Sequence, residues 1–181
     1  MNTHNHDHLA GVGGVFQTLD EIDFARGPWT PAMYGDYPAI KLYLQKGGEP
    51  NLMDSSGYTP LHYAARGGYY NICNELILSG ASVNHTTKSG KSTSLHRAAS
   101  QGCNDVVKLL IKNGANPRMI DDDGKTALHK AAEGNHAEVC RLLIESAPDT
   151  QNVLDKKVKY PKDYVLCTDD QKETYKVMWW T

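Results

Sequence analysis

An all-α solenoid of about four helix-turn-helix units with a degenerate C-terminal cap is the fold class this sequence predicts. The first observation behind it is a recurring phrase: TPLHYAA at 59–65 returns as TSLHRAA and TALHKAA, with His62, His96 and His129 spaced by 34 and 33 positions. The second is that the surrounding residues keep the same step. Ala64-Ala65, Ala98-Ala99 and Ala131-Ala132 follow the histidines, then Gly68, Gly102 and Asn135, then Ile72-Cys73, Val106-Val107 and Val139-Cys140. The third is energetic. One short helix pair has too little apolar surface to offset the ordering of its backbone, about 1 to 2 kcal/mol per residue, so neighbours must stack and share a core.

Each unit justifies its elements in order. Thr59-Pro60 opens the first helix, where proline suits the first turn because its missing N–H would be unpaired there anyway. Gly68, Gly102 or Asn135 then permits a left-handed residue between the helices. The second helix carries the apolar patches Leu76-Ile77, Leu109-Leu110-Ile111 and Leu142-Leu143-Ile144, and two copies stop at Gly80-Ala81 and Gly114-Ala115. A polar excursion, NHTTKSG or MIDDDG, leads on as an extended finger.

The register G-x-T-P-L-H-x-A-A…G…V-V-x-L-L-L-x-x-G-A resembles ankyrin repeats. In that family the Thr and His of the tetrapeptide hold neighbouring units together by hydrogen bonds, which the resemblance carries onto Thr59 and His62, Thr93 and His96, and Thr126 and His129. Ankyrin-like units stack roughly 10 Å apart, whereas a shared zinc needs each imidazole nitrogen within about 2.1 Å, so three equivalent histidines on successive units do not converge on one ion. The histidines are read as structural.

Four units are expected, over residues 28–56, 57–89, 90–123 and 124–157, with 1–14 as a flexible tail, 15–27 as a packing segment and 158–181 as a degenerate cap. The first unit has Trp29 where a histidine should stand and resembles an N-terminal capping repeat. The last opening, DKKVKYPKDYV, keeps Asp155 and Pro161 but has Val158 in the glycine slot and Tyr160 in the threonine slot. GKSTSLH contains one residue more than its counterparts and predicts a bulged turn. Glu75 stands where the next units have Leu109 and Leu142, and because an unpaired buried carboxylate costs several kcal/mol it is expected at the solvent edge.

Composition narrows the function classes. A net charge of −2 with mixed signs is a poor electrostatic footprint for nucleic acid. The N-terminus lacks a signal-peptide pattern and no window offers the roughly 18 apolar residues of a spanning helix, so no membrane insertion and a cytoplasmic or nuclear location are expected. Cys73, Cys103, Cys140 and Cys167 form no CxxC pair and are read as reduced thiols. No GxSxG, HExxH, P-loop or GxGxxG context suggests catalysis or a cofactor. His4, His6 and His8 in HNHDH are weak metal candidates, the basis of an alternative, metal-linked function, and TYKVMWW is expected to fold back over the last unit.

The resemblance implies a non-catalytic adaptor, expected to be monomeric, that binds a protein partner on the concave face made by fingers and first helices. Service as the substrate-recognition subunit of a larger complex is a further alternative. The variable slots supply the candidate readers: Tyr58, Lys91 and Lys125 near the finger bases, Tyr63, Arg97 and Lys130 after the histidines, and Arg66, Gln101 and Glu133 after the alanine pairs. Tyr63, Arg66 and Arg97 have the chemistry of interface anchors. A basic strip of Lys91, Arg97, Lys125 and Lys130 favours an acidic or extended segment, against which Asp121, Asp122 and Asp123 weigh. The resemblance also makes Asn51 and Asn84 candidates for asparaginyl hydroxylation.

Overall fold

The computed structural model describes residues 27–165. The N-terminal packing segment up to residue 26, the HNHDH histidines, Cys167 and the TYKVMWW stretch lie outside them. Among the described residues eight α-helices follow in pairs: α1 (Trp29–Tyr34) and α2 (Tyr37–Gln45), α3 (Pro60–Gly67) and α4 (Tyr70–Leu78), α5 (Ser94–Ser100) and α6 (Asn104–Lys112), α7 (Ala127–Glu133) and α8 (Ala137–Ser146). Two 3-10 turns, Pro148–Asn152 and Pro161–Tyr164, complete the described chain.

The helices stack in two rows. The first of each pair makes an inner row, α1 on α3 on α5 on α7, closed by the Pro161–Tyr164 turn, and the second makes an outer row of α2, α4, α6 and α8. Small residues let the inner row approach closely: Ala64, Ala65, Ala98, Ala99, Ala131 and Ala132 are all fully buried. The outer helices turn one apolar face inward, Ile72, Cys73 and Leu76 on α4 and Val139, Cys140 and Leu143 on α8, the i, i+1, i+4 spacing of a single helical face. Burial pushes the Cys73 and Cys140 thiols up to about 12, and Cys73, Cys103 and Cys140 are unbridged.

The turn between paired helices is left-handed, with Gly35, Gly68 and Gly102 at φ 79°, 72° and 69° and Asn135 at φ 56°. At Gly102 a Cβ would meet the His136 ring of the next unit at 2.5 Å, so stacking as well as φ demands glycine there. Trp29 is buried and its indole N–H donates to the Leu52 carbonyl at 3.1 Å, linking α1 to the first finger. Glu75 is half-buried and accepts from the Tyr37 hydroxyl at 3.0 Å, so the carboxylate in an apolar slot ties α4 to α2 and raises the Tyr37 phenol.

The extra residue in GKSTSLH forms a bulge of two left-handed residues, Gly90 at φ 84° and Lys91 at φ 45°. The finger still closes, with Thr87 N–H donating to the Ser92 carbonyl at 3.0 Å. The backbone N–H groups of Asp54, Asp121 and Asp155 donate in the same way to the Tyr58, Lys125 and Lys159 carbonyls at 3.0, 2.9 and 3.0 Å.

Candidate functional site

The three histidines are built into the frame. In each inner helix the threonine N–H donates to the histidine Nδ1, at 3.2 Å in Thr59–His62, 3.2 Å in Thr93–His96 and 3.1 Å in Thr126–His129. Because a backbone N–H can only donate, Nδ1 is the acceptor and the ring proton sits on Nε2. Nε2 then donates to a carbonyl one unit ahead: Ser92 from His62 at 3.1 Å, Lys125 from His96 at 3.0 Å, Lys159 from His129 at 3.2 Å. Both nitrogens are engaged, leaving no lone pair for a metal. Burial lowers all three from the usual histidine range, His62 to about 4. Among the described residues no cluster of metal-type ligands forms.

The fingers are held by carboxylates that the repeat pattern of the histidines does not single out as a set. Asp54 Oδ1 accepts from Ser56 and Tyr58 N–H at 2.9 and 2.8 Å, Asp121 Oδ1 from Asp123 and Lys125 N–H at 2.9 and 2.8 Å, and Asp155 Oδ1 from Lys157 and Lys159 N–H at 2.8 and 3.0 Å. The second oxygen takes the residue after the histidine, or its counterpart. Tyr63 donates to Asp54 Oδ2 at 2.7 Å, Lys130 pairs with Asp121 Oδ2 at 2.7 Å, and the Tyr164 hydroxyl donates to Asp155 Oδ2. Burial would raise the Asp121 carboxyl, but the Lys130 hydrogen bond and the Lys125 N–H outweigh it and hold it below the usual range. The sequence carries a signal for them in Asp54-x-x-Gly57 and Asp121-x-x-Gly124, three residues before the finger glycine in the same register.

The second finger lacks this carboxylate because Thr87 occupies the slot. Thr87 is buried and spends its hydroxyl locally, donating to the Ser89 carbonyl at 2.7 Å and accepting from Ser92 N–H at 3.0 Å. Arg97, in the register of Tyr63 and Lys130, therefore has no aspartate to meet. Its guanidinium lies over the Tyr58 ring, 4.8 Å from the centroid, and donates to the Tyr58 hydroxyl.

The remaining candidates divide between internally paired and exposed. Lys125 is only 6% exposed, bonded to Glu133 and set 4.7 Å from the Tyr164 ring centroid, so Lys125 does not stand open to a partner, whereas Glu133 is exposed with its carboxylate paired. Lys130 is committed to Asp121, and Lys91, exposed on its bulge, lies 3.9 Å from Asp122. The basic strip is thus largely neutralised from within, Lys130 and Lys91 by Asp121 and Asp122 and Lys125 by Glu133. Arg66 and Gln101 are exposed on the inner row. Arg97, Lys130 and Tyr58 line a cleft of about 320 Å³ between the second and third fingers, together with Ser89, Ser100 and the three aspartates Asp121, Asp122 and Asp123.

Asn51 and Asn84 bridge adjacent fingers. Asn51 donates to the Gly80 carbonyl at 3.0 Å and accepts from Ser82 N–H at 2.7 Å, and Asn84 repeats the pair with Gly114 and Asn116, both at 2.8 Å. In the third finger the equivalent position is Arg118, and counting on from His129 as from His62 and His96 puts Asp149 in the slot of Ser82 and Asn116. Arg118 instead forms a bidentate pair with Asp149, two bonds of 2.7 Å.

The family described as ankyrin repeats (3 copies) matches residues 30–121 and 68–159 of this sequence. The human ankyrin repeat domain-containing protein 39 is 48% identical over 80 residues, which make up 44% of this chain and 44% of that protein. Its bovine counterpart is 51% identical over 63 residues, 35% of this chain and 34% of its own. Both alignments span less than half of the relative's length. The E3 ubiquitin-protein ligase hecd-1 of Caenorhabditis elegans is 41% identical over 157 residues, 84% of this chain but 6% of the ligase.

Proposed function

Since this chain belongs to the ankyrin repeat family, whose arrays are protein-protein interaction modules, we propose that it is a non-catalytic adaptor that holds a protein segment against the face formed by its fingers and inner helices. The observation that carries the reading is the way this face is prepared. The side chains after each histidine stand in one register, and hydrogen bonds to finger carboxylates or to Tyr58 fix them before any partner arrives. Side chains ordered in advance lose less entropy on binding, and tyrosine and arginine are effective anchors. The face therefore offers Tyr58, Arg66, Arg97 and Gln101 as contacts. Tyr63, Lys125, Lys130 and Glu133 serve first to shape it.

The test is affinity capture with the intact chain and an Arg66→Ala/Arg97→Ala variant of matching thermal stability, read by mass spectrometry. A partner retained by the first and lost by the second supports the reading. Equal captures move the binding surface elsewhere.

A narrower version, recognition of substrate for a larger assembly, has one observation in its favour: most of this chain aligns with a small share of a ubiquitin ligase. A captured partner whose ubiquitination falls when the chain is depleted is the outcome that supports it.

A further inference from the structure

The cleft between the second and third fingers is where this chain departs from its own repeat, and its charges can be followed one by one. Asp121 is satisfied by two backbone N–H groups and Lys130. Asp122 accepts from Gly90 N–H at 3.0 Å and lies near Lys91, an arrangement made possible by the bulge that the extra residue creates. Two charges in the cleft are left over. Among the described residues Arg97 has no ion pair, because Thr87 replaces the aspartate that its counterparts use, and its planar fork is steadied over Tyr58 with most of its donors unused. The Asp123 carboxylate, exposed and lining the same cleft, is also unpaired among the described residues, while its backbone is anchored by N–H to Asp121 and by its carbonyl to Lys156 N–H at 2.9 Å. The cleft presents a cation steadied over Tyr58 and an exposed anion on an anchored backbone.

We propose that this cleft receives an extended protein segment carrying an acidic residue flanked by a basic one, the carboxylate held by the Arg97 fork and the cation by Asp123. A segment of one sign would satisfy one group and oppose the other, whereas a mixed pair answers both. Ser89 and Ser92 line the cleft beside them and offer hydroxyls to the segment's backbone, while the Ser100 hydroxyl is donated to the Arg97 carbonyl at 2.9 Å. This inference rests on the finger-face reading above and names the chemistry that face selects.

A library of random dodecapeptides displayed on phage, selected on the intact chain, provides the test. The expected result is enrichment of peptides with Asp or Glu next to Lys or Arg. In the best such peptide, replacing the acidic residue by alanine weakens binding about tenfold. That loss disappears when the protein carries Arg97→Gln, and the loss on replacing the basic residue disappears with Asp123→Asn. Asp123 uses only backbone atoms in the fold, so the second variant keeps the finger intact. Arg97→Lys, which keeps the charge without the fork, should recover only part of the affinity. Selected peptides that lose binding to an Arg66→Glu variant but show no mixed-charge pair overturn this inference and leave the finger-face reading standing. Peptides indifferent to every substitution on the face, or no enrichment at all, overturn both.

Discussion

The second and third fingers are the same device built with and without an insertion. In both, a histidine from the preceding unit reaches the carbonyl immediately before the next threonine, Ser92 for His62 and Lys125 for His96, at nearly equal distances of 3.1 and 3.0 Å. The extra residue lies upstream of that carbonyl, at the Gly90-Lys91 bulge, so the bridge between units does not register it. What changes is the carboxylate. The third finger has Asp121 gripping two N–H groups and Lys130, while the second has Thr87 closing on itself and leaves Arg97 without an ion pair among the described residues. Stacking is thus insulated from finger chemistry, and a unit can trade a structural ion pair for a binding group without losing its place in the array.

The hardest way to strain that insulation is acid, which attacks every bridge at once. Burial holds His62 at about 4, against about 6.5 for the unfolded chain, so between these values the unfolded state binds more protons. The stabilisation is complete above 6.5 and is lost as pH falls through that window, about 3 kcal/mol from His62 alone. His96 and His129 are shifted in the same direction and add to the loss. Asp121 and Asp155 are held low, so their contribution persists above the ordinary carboxylate range and goes only as pH falls below it. Urea unfolding at pH 7.5, 6, 5 and 4 should show stability falling well before the carboxylates titrate. A flat profile down to pH 5 would contradict the neutral, bridging histidines.

A smaller effect separates one bridge from the rest. His96→Ala leaves the buried Thr93 N–H without its acceptor and the Lys125 carbonyl with the Asp121 N–H alone, and should cost about 2 kcal/mol at neutral pH. His62→Ala should cost a similar amount although its bridge crosses the bulge, because the acceptor geometry is the same. A much smaller cost for His62 would mean that the insertion loosens the stack after all.

Converting the second finger into the third sharpens the contrast further. Thr87→Asp with Lys91 deleted restores the length and the carboxylate, and Arg97 should then leave Tyr58 for the new aspartate. A gain of roughly 1 kcal/mol is expected from a charge-assisted, half-buried hydrogen bond. The same variant should bind the selected mixed-charge peptides about tenfold more weakly. Asp121→Asn, which keeps the shape but not the charge, should move stability by a similar amount in the opposite direction.

Much of the architecture behind this contrast is legible in the residues themselves. The 33- to 34-residue step of His62, His96 and His129 specifies the stack, and the left-handed turns at Gly68, Gly102 and Asn135 follow from residue type alone. The status of the candidate readers is not legible in the same way. Lys125, Lys130 and Glu133 read alike as charged slots in a sequence, because periodicity says which slot a residue fills and not which neighbour it meets. Burial and pairing of Lys125 depend on Tyr164, beyond the last full repeat, and on Glu133 at the far end of its own helix. Arg97 draws attention as a residue type, but its availability follows from the absence of a carboxylate at Thr87, and an absence shows only when the aspartates of the other fingers are aligned with it.

The smallest expected effect lies at the last finger, where Val158 fills the slot held by Gly57, Gly90 and Gly124. Its φ of 59° is left-handed, a conformation that crowds a β-branched side chain and costs of order 1 to 3 kcal/mol, and the residue is 74% exposed with little packing to repay it. Val158→Gly removes the crowding but gives the unfolded chain roughly 0.5 to 1 kcal/mol more entropy, so the net gain should be about 1 kcal/mol, read as a higher urea midpoint. The same exchange in reverse, Gly124→Val in the third finger, should be destabilising by more than that gain, since a Cβ there meets the Lys156 backbone nitrogen at 3.1 Å as well as an unfavourable φ. If Val158→Gly instead lowers the midpoint, the valine must be making apolar contacts worth more than its strain, and the fourth finger would then be a surface built to be covered.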